Sequence, residues 1–356
     1  MGDRRRRSQA EKSWTYRDAG VDLKRAGEAK ERIKALARST FNSAVPGDIG
    51  SFGGLYRPDF ARYQKPILVS SVDGVGTKLK VAFMAGVHDT VGVDLVSHCC
   101  NDILTQGALP LFFMDYIATG RLDPQVVEKI LSGLVQGCRR SQCVLLGGET
   151  AEMPDFYPQG EYDLAGFMVG VADESRLLDR RRVAPGDILI GLPSSGLHTN
   201  GFSLVRKLLL EQEKLSLDSY RKDLGKTLGE ELLTPHRSYL SILKELVQTD
   251  ELAALAHITG GGITENLNRV LPNTVDALVR RGTWEILPIF RLIRDCGRVT
   301  SEEMYRTFNM GLGMILLVGR RKLSRVESFL QERGERYYLV GEIIEGGGRV
   351  RYDQAT

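Results

Sequence analysis

The chain has 356 residues, enough for two domains of ordinary size, and its 42% hydrophobic and 26% charged residues are those of a globular protein. No stretch approaches the ~18 consecutive apolar residues of a membrane span, and Arg4–Arg7 have no apolar run behind them. A membrane partner and a secretory signal are therefore not expected, and the cytoplasm is the expected location.

The net charge of +3 has a local origin, because residues 1–12 hold five basic and two acidic side chains and the remainder sums to zero. Residues 1–15 read as a basic, solvated and disordered tail. A folded portion without net charge gives no reason to expect nucleic acid as a partner. The five cysteines, at 99, 100, 138, 143 and 296, form no C-x-x-C pair and read as reduced thiols.

In chain order, residues 28–40 read as a charged helix, followed by a glycine-rich loop at 47–54. A strand is expected over 67–72, a helix over 94–106, a strand over 111–116 and a helix over 124–140. On the helix over 94–106, Asp94 and Asn101 lie two turns apart and share a face. Strands follow at 142–146 and 163–172. The charge-dense stretch 173–187 ends in Pro-Gly-Asp and reads as a seam, dividing an N-terminal domain (16–180) from a C-terminal domain (181–356). Beyond it a strand is expected at 188–192, helices from about 201 and near 236–248, and strands at 254–258, 276–280, 314–318 and 337–343. The fold class is α+β in two halves.

Three apolar runs in the first half end on a carboxylate among small residues: Asp73 in VDGVGTK, Asp115 after LFFM, and Glu149 in LLGGET. A strand that delivers an acid into a glycine-rich turn sets a hard oxygen ligand where backbone can approach a charged group. Asp73, Asp94, Asn101, Asp102 and Asp115 are candidate ligands for Mg²⁺ bridging phosphate oxygens. Equally, strand-end turns and a helix cap would explain Asp73, Asp115 and Asp94. Gly74-Val75-Gly76-Thr77-Lys78 lacks the spacing of a P-loop, so ATP would be bound by other means.

In the loop 191–203, His198 and Asn200 stand before a helix start, with serine and threonine hydroxyls beside them. His198 is the candidate general acid or base, whereas His88 and His236 read as surface residues. Gly260, Gly261 and Gly262 form either a phosphate nest or a tight turn.

The segments SVDGVGTKLK (71–80), GVDLVSHCCNDILTQGALPLFFMDY (92–116) and GGETAEMP (147–154) closely resemble the aminoimidazole ribonucleotide synthetases, or phosphoribosylformylglycinamidine cyclo-ligases. The resemblance begins at Asp18-Ala19-Gly20-Val21-Asp22 and continues through SSGLHTNGFSLVRK (194–207), HITGGGITENLNRVLP (257–272) and EMYRTFNMGLGM (303–314). It implies an enzyme that closes formylglycinamidine ribonucleotide to aminoimidazole ribonucleotide with ATP. It also implies a homodimer whose N-terminal mixed sheets join in a barrel, and a C-terminal α/β sandwich covering the cleft.

By the same resemblance Lys34, Asp73, Gly74, Thr77, Lys78, Asp94 and Asn101 would bind ATP, and Asp73, Asp94, Asp102 and Asp115 would hold Mg²⁺. Glu149, Thr150 and Gly260–Gly262 would bind the ribonucleotide. His198 and Asn200 would move a proton or steady the phosphorylated oxygen. The glycine-rich loop 47–54 lacks the reactive cysteine that a selenophosphate synthetase would carry there.

Overall fold

Helix α1 (Leu23–Arg38) opens the part of the chain that the computed structural model describes, residues 23–353. The expected tail at 1–15 and the segment Asp18–Asp22 lie outside the described residues. Strand β1 (Pro66–Gly74), helices α2 (Lys78–Ala85) and α3 (Thr90–Leu104), strand β2 (Leu109–Thr119), helix α4 (Pro124–Arg140) and strands β3 (Val144–Glu152) and β4 (Tyr162–Asp173) build the first sheet and its cover. The sheet order is β1-β4-β2-β3, parallel only between β2 and β3.

Helix α4 begins where expected for a local reason. Asp123 accepts the N–H groups of Gln125 and Val126, Pro124 occupies the first turn, and Arg139 and Arg140 sit at the negative end of the dipole. Helix α3 is buried along nearly its whole length, between this sheet, α4 and the second domain. Its crossing with α4 is possible only because both contact positions are glycine. A Cβ on Gly133 would stand 2.1 Å from Asp89 O, and one on Gly92 would stand 2.5 Å from Ile130 O.

On the sheet's other face, Val72, Phe167 and Met114 line up across β1, β4 and β2. Of these, Val72 is 61% and Phe167 46% exposed.

The second domain contains β5 (Ile188–Pro193), α5 (Phe202–Val205, continued by a π-helix over Arg206–Gln212), a small hairpin β6 (Tyr220–Arg221) and β7 (Lys226–Thr227), and helices α6 (Leu228–Leu232) and α7 (Leu240–Leu243). Then come β8 (Leu252–His257), α8 (Gly262–Arg269), β9 (Val275–Val279), α9 (Pro288–Gly297), α10 (Ser301–Thr307), β10 (Leu312–Val318), α11 (Leu323–Glu332), β11 (Tyr338–Glu345) and β12 (Val350–Tyr352). Six strands form one sheet in the order β12-β9-β11-β5-β10-β8, and every residue of β8 and β10 is buried.

The helix expected near 236–248 shrinks to α7 and one 3₁₀ turn, Leu246–Gln248. Its leading residues are held non-helical by side chains of α3, which take the N–H groups of His236 and Tyr239. Helices α2, α6, α9, α10 and α11 were not anticipated.

Gly133→Ala should lower the free energy of unfolding by about 1–3 kcal/mol through overpacking at the α3–α4 crossing. A urea titration followed by circular dichroism measures it, with Gly347→Ala, where a Cβ meets nothing within 4 Å and the backbone is not left-handed, as the small-effect comparison.

Candidate active site

Residues 94, 98, 101 and 102 lie at i, i+4, i+7 and i+8 on α3 and make one polar face on an otherwise apolar helix. That face meets the second domain. Lys78 Nζ lies 2.9 Å from Asp94 Oδ1 and 2.8 Å from Oδ2, with both side chains fully buried. The ammonium also donates to Thr234 O at 2.9 Å, and Asp94 Oδ1 accepts the His236 N–H at 2.7 Å. Asn101 Oδ1 accepts the Tyr239 N–H at 2.9 Å, and Nδ2 donates to Arg237 O at 2.8 Å.

Burial pushes the Lys78 pKa down and the Asp94 pKa up, each opposed by its partner. The expectation for Asp94, Asn101 and Lys78 was Mg²⁺-ATP. In this structure all three are bonded to loop 234–239, because a charge at this depth must be paired and hydrogen-bonded where it stands. Asp94 is not a helix cap either, since α3 begins four residues earlier.

Four of the five histidines gather behind this face. The rings of His198 and His236 stack with centroids 3.9 Å apart and 20° between planes. His236 Nε2 lies 3.0 Å from His257 Nε2, and His257 Nδ1 lies 2.8 Å from Asp102 Oδ1. His98 Nε2 lies 2.8 Å from Asp73 Oδ2, and its Nδ1 is 3.0 Å from Thr199 Oγ1.

Expected at the surface, His236 is 1% exposed, and His88 is buried with Nδ1 3.1 Å from Tyr162 Oη. Loop 234–239 carries His236 inward on the hydrogen bonds just described. Sequence reasoning passed over His98 and His257. A polar stripe at helical spacing on α3 would have flagged His98; nothing local flags His257.

His198 is also 1% exposed, sits at a left-handed φ of 60°, and accepts the Ser195 N–H on Nε2 at 3.2 Å. Neither His198 Nδ1 nor His236 Nδ1 has a hydrogen-bond partner among the described residues. Burial, with the positive potential of His257 and Lys78, holds the His198 pKa well below its ordinary value, so the ring is neutral near pH 7. Asn200 lies beside the glycine loop, its Oδ1 3.2 Å from where a Cβ on Gly260 would stand.

Asp73 and Asp115 face the same side of the first sheet in one register row, each opposite Gly166 of β4. Two strand spacings separate them, ~10 Å. Gly148 extends the row, and a Cβ there would lie 2.4 Å from Asp115 Oδ1. Asp115 is 7% exposed; burial and then the charge of Glu149 push its pKa up to about 7.

Beside it is a cavity of about 510 Å³ lined by Lys34, Ser51, Gly53, Asp115, Glu149 and Thr150, roofed by the glycine-rich loop 47–54. Lys34 crosses that loop, its Cε 3.2 Å from where a Cβ on Gly50 would stand. Gly74 turns its N–H to Asp73 Oδ1 at 2.7 Å, and Thr77 Oγ1 meets Ser203 Oγ of the second domain at 3.0 Å.

A second cavity of about 370 Å³ runs between the domains, lined by Ser70, Ser71, Asp102, His257, Asn266 and Arg269. Gly261 and Gly262 have φ of 93° and 58°, and a Cβ on Gly262 would stand 2.2 Å from Tyr305 O. Asn266 Nδ2 ties the loop by donating to the carbonyls of Thr259, Gly260 and Gly262. The Gly262 N–H is already bonded to Thr259 O at 3.0 Å. These three glycines form a braced turn at the rim of the cleft.

Residues 59–172 and 184–353 match the N-terminal and C-terminal domains of the AIR synthase related proteins. Thiamine-monophosphate kinase from Stenotrophomonas maltophilia K279a superposes with a TM-score of 0.65 at 18% identity, over 92% of this chain and 96% of that one. The hydrogenase maturation protein HypE in complex with ATP gives 0.65 at 15% identity, over 91% and 90%. These two likenesses define the two-domain fold.

The phosphoribosylformylglycinamidine cyclo-ligase of Brevibacillus brevis is 51% identical over 341 residues, covering 96% of this chain and 99% of that protein. The chain belongs to the phosphoribosylformylglycinamidine cyclo-ligase family.

Lys78→Met should destabilise the protein by about 3–5 kcal/mol, because it strands the Asp94 carboxylate in the interior. Lys78→Met combined with Asp94→Leu should recover much of that loss. Urea midpoints of the two variants check the comparison.

Proposed function

We propose that the protein uses ATP to close formylglycinamidine ribonucleotide to aminoimidazole ribonucleotide, releasing ADP and phosphate, the fifth step of purine synthesis. The observation that carries the reading is near-full-length identity of 51% to a cyclo-ligase, joined to two cavities that each hold carboxylates, Asp115 and Glu149 in one and Asp102 in the other. ATP takes the cavity beside Asp115, under loop 47–54, with Lys34 toward its phosphates. The ribonucleotide takes the cleft between domains, its phosphate toward Arg269 and the turn at Gly260–Gly262.

Asp115 and Glu149, which line the first cavity, and Asp73 are hard oxygen donors, a chemistry that suits Mg²⁺. When bound, Mg²⁺ neutralises charge on the phosphates during transfer.

The amide oxygen of the substrate is a poor leaving group, so it must become a phosphate ester before the amidine nitrogen can displace it. Phosphoryl transfer asks the protein mainly for alignment and charge compensation. Lys34 and the acid row supply these on the nucleotide side. On the ribonucleotide side the neutral His198 is a hydrogen-bond donor rather than a proton carrier. Its unpartnered Nδ1 favours a role in steadying the oxygen, with Asn200 beside it.

The exposed Val72 and Phe167, in one row with the half-buried Met114, support a homodimer formed through the first sheet. No helix among the described residues is long and apolar enough to cross a membrane.

Supplying formylglycinamidine ribonucleotide with Mg²⁺-ATP should yield ADP, phosphate and the imidazole product in equal amounts. ATP turnover without the imidazole would refute the reading. His198→Ala should lower kcat by about 10²–10³-fold and leave the limbs of the pH–kcat profile in place. Arg269→Ala should raise KM for the ribonucleotide by about 10–100-fold, the worth of a charge-assisted hydrogen bond, without changing KM for ATP.

A further inference from the structure

The loop that carries His198 and the turn that leads into β10 are both strained. His198 has a φ of 60° and Met310 a φ of 52°, a left-handed conformation that residues with bulky side chains avoid. Such backbone persists only where its surroundings over-determine it. Here the surroundings converge on one side chain, Asn309, which is 3% exposed. Its Oδ1 accepts the Gly311 N–H at 2.9 Å and lies 3.0 Å from the Ser194 hydroxyl, and its Nδ2 donates to Gly196 O at 2.9 Å. The Ser194 N–H adds a bond to Gly311 O at 2.8 Å, and Trp284 Nε1 holds Met310 O at 2.9 Å.

We propose that Asn309 is a positioning residue for the reaction, fixing loop 194–198 so that His198 can offer the substrate only its Nδ1–H. The inference rests on His198 steadying the phosphorylated oxygen, and it adds what holds the ring in that state.

The ring is fixed on three sides. Nε2 accepts the Ser195 N–H at 3.2 Å, which assigns the proton of the neutral imidazole to Nδ1. One face stacks on His236 at 3.9 Å. The Cε1 corner meets β10 at Gly313, where a Cβ would stand 2.6 Å from His198 Cε1 and 2.1 Å from Tyr239 Oη. The strand can come so close because residue 313 is glycine.

Ser195, which sets the tautomer, sits between Ser194 and Gly196, the two residues that the Asn309 amide grips. Its own hydroxyl donates to Pro235 O at 2.7 Å, so the loop is also tied to segment 234–239. Without the amide, the Ser195 N–H is free to turn from His198 Nε2. The ring proton can then move to Nε2, and Nδ1 becomes an acceptor facing an oxygen that needs a donor. An amide fits the position, because its oxygen faces donors while its NH₂ faces a carbonyl. A carboxylate would set a second acceptor against Gly196 O, and an aliphatic side chain would leave the Gly311 N–H without this partner.

The test is a double-mutant cycle on the full chain, reading kcat and both KM values from product formation with formylglycinamidine ribonucleotide and Mg²⁺-ATP. Asn309→Ala should lower kcat by about 10–100-fold, the cost of a misplaced catalytic group, and leave KM for ATP unchanged. In a His198→Ala background the same substitution should cost no more than about 2-fold, because the ring it positions is gone. Wild-type kcat in Asn309→Ala, or the full loss repeated in the His198→Ala background, would overturn the positioning.

Should Asn309→Ala fail to fold, Ser194→Ala removes only the hydroxyl beside the amide. It should lower kcat by about 2–10-fold, the worth of one hydrogen bond, and have no such effect in the His198→Ala background. An equal loss in both backgrounds overturns the inference. Full kcat in His198→Ala overturns the role of His198 and this inference together. An intact His198→Ala loss beside wild-type kcat in Asn309→Ala overturns the positioning alone, and absence of the imidazole from the wild-type chain overturns the proposed function itself.

Discussion

Everything in this protein is arranged around the interior position of helix α3. It lies against the first sheet on one side and against the second domain on another, so its polar residues cannot reach solvent. A buried carboxylate without a partner costs several kcal/mol. Lys78 answers Asp94, and the pair then serves as a fixed charged anchor for the backbone of loop 234–239. Asn101 completes the attachment two turns on, with both ends of its amide engaged. The two domains are thus registered by hydrogen bonds of defined direction, which apolar packing alone would not supply.

That registration places the chemistry. With loop 234–239 held against α3, His236 is carried inward to stand behind His257, and His257 reaches Asp102 at the cleft wall. On the sheet side, the missing Cβ of Gly148 makes a place for the Asp115 carboxylate, and that of Gly166 makes a place for the Phe113 ring. Two cavities result, one of nucleotide size under a glycine-rich loop and lined by Asp115 and Glu149, the other between the domains and lined by Asp102. Such an arrangement suits a phosphoryl transfer between two bound molecules, where positioning and charge compensation do most of the work.

The acids divide by environment. Asp94 is neutralised by an ammonium and serves architecture. Asp115, desolvated and next to Glu149, holds its proton up to about pH 7. Asp73 and Asp102 each face an imidazole. One residue type therefore performs three tasks, decided by desolvation and by the nearest charge.

Much of this was legible in the chain itself. The α4 boundaries with Asp123 and Pro124, the glycine-rich loop and the long ordered motifs all depend on neighbours within a few residues, whereas Asp115 and Glu149, expected where strands end, lie inside β2 and β3, which pairing prolongs. Local sterics and hydrogen bonding act at that range, so the two-half α+β fold and the family could be read directly. The partners of Asp94 and Asn101, the inward turn of His236 and the meeting of four histidines could not. They join residues from about 20 to 160 positions apart, and such contacts exist only once α3 is buried and its unsatisfied polar groups must find partners in the other domain.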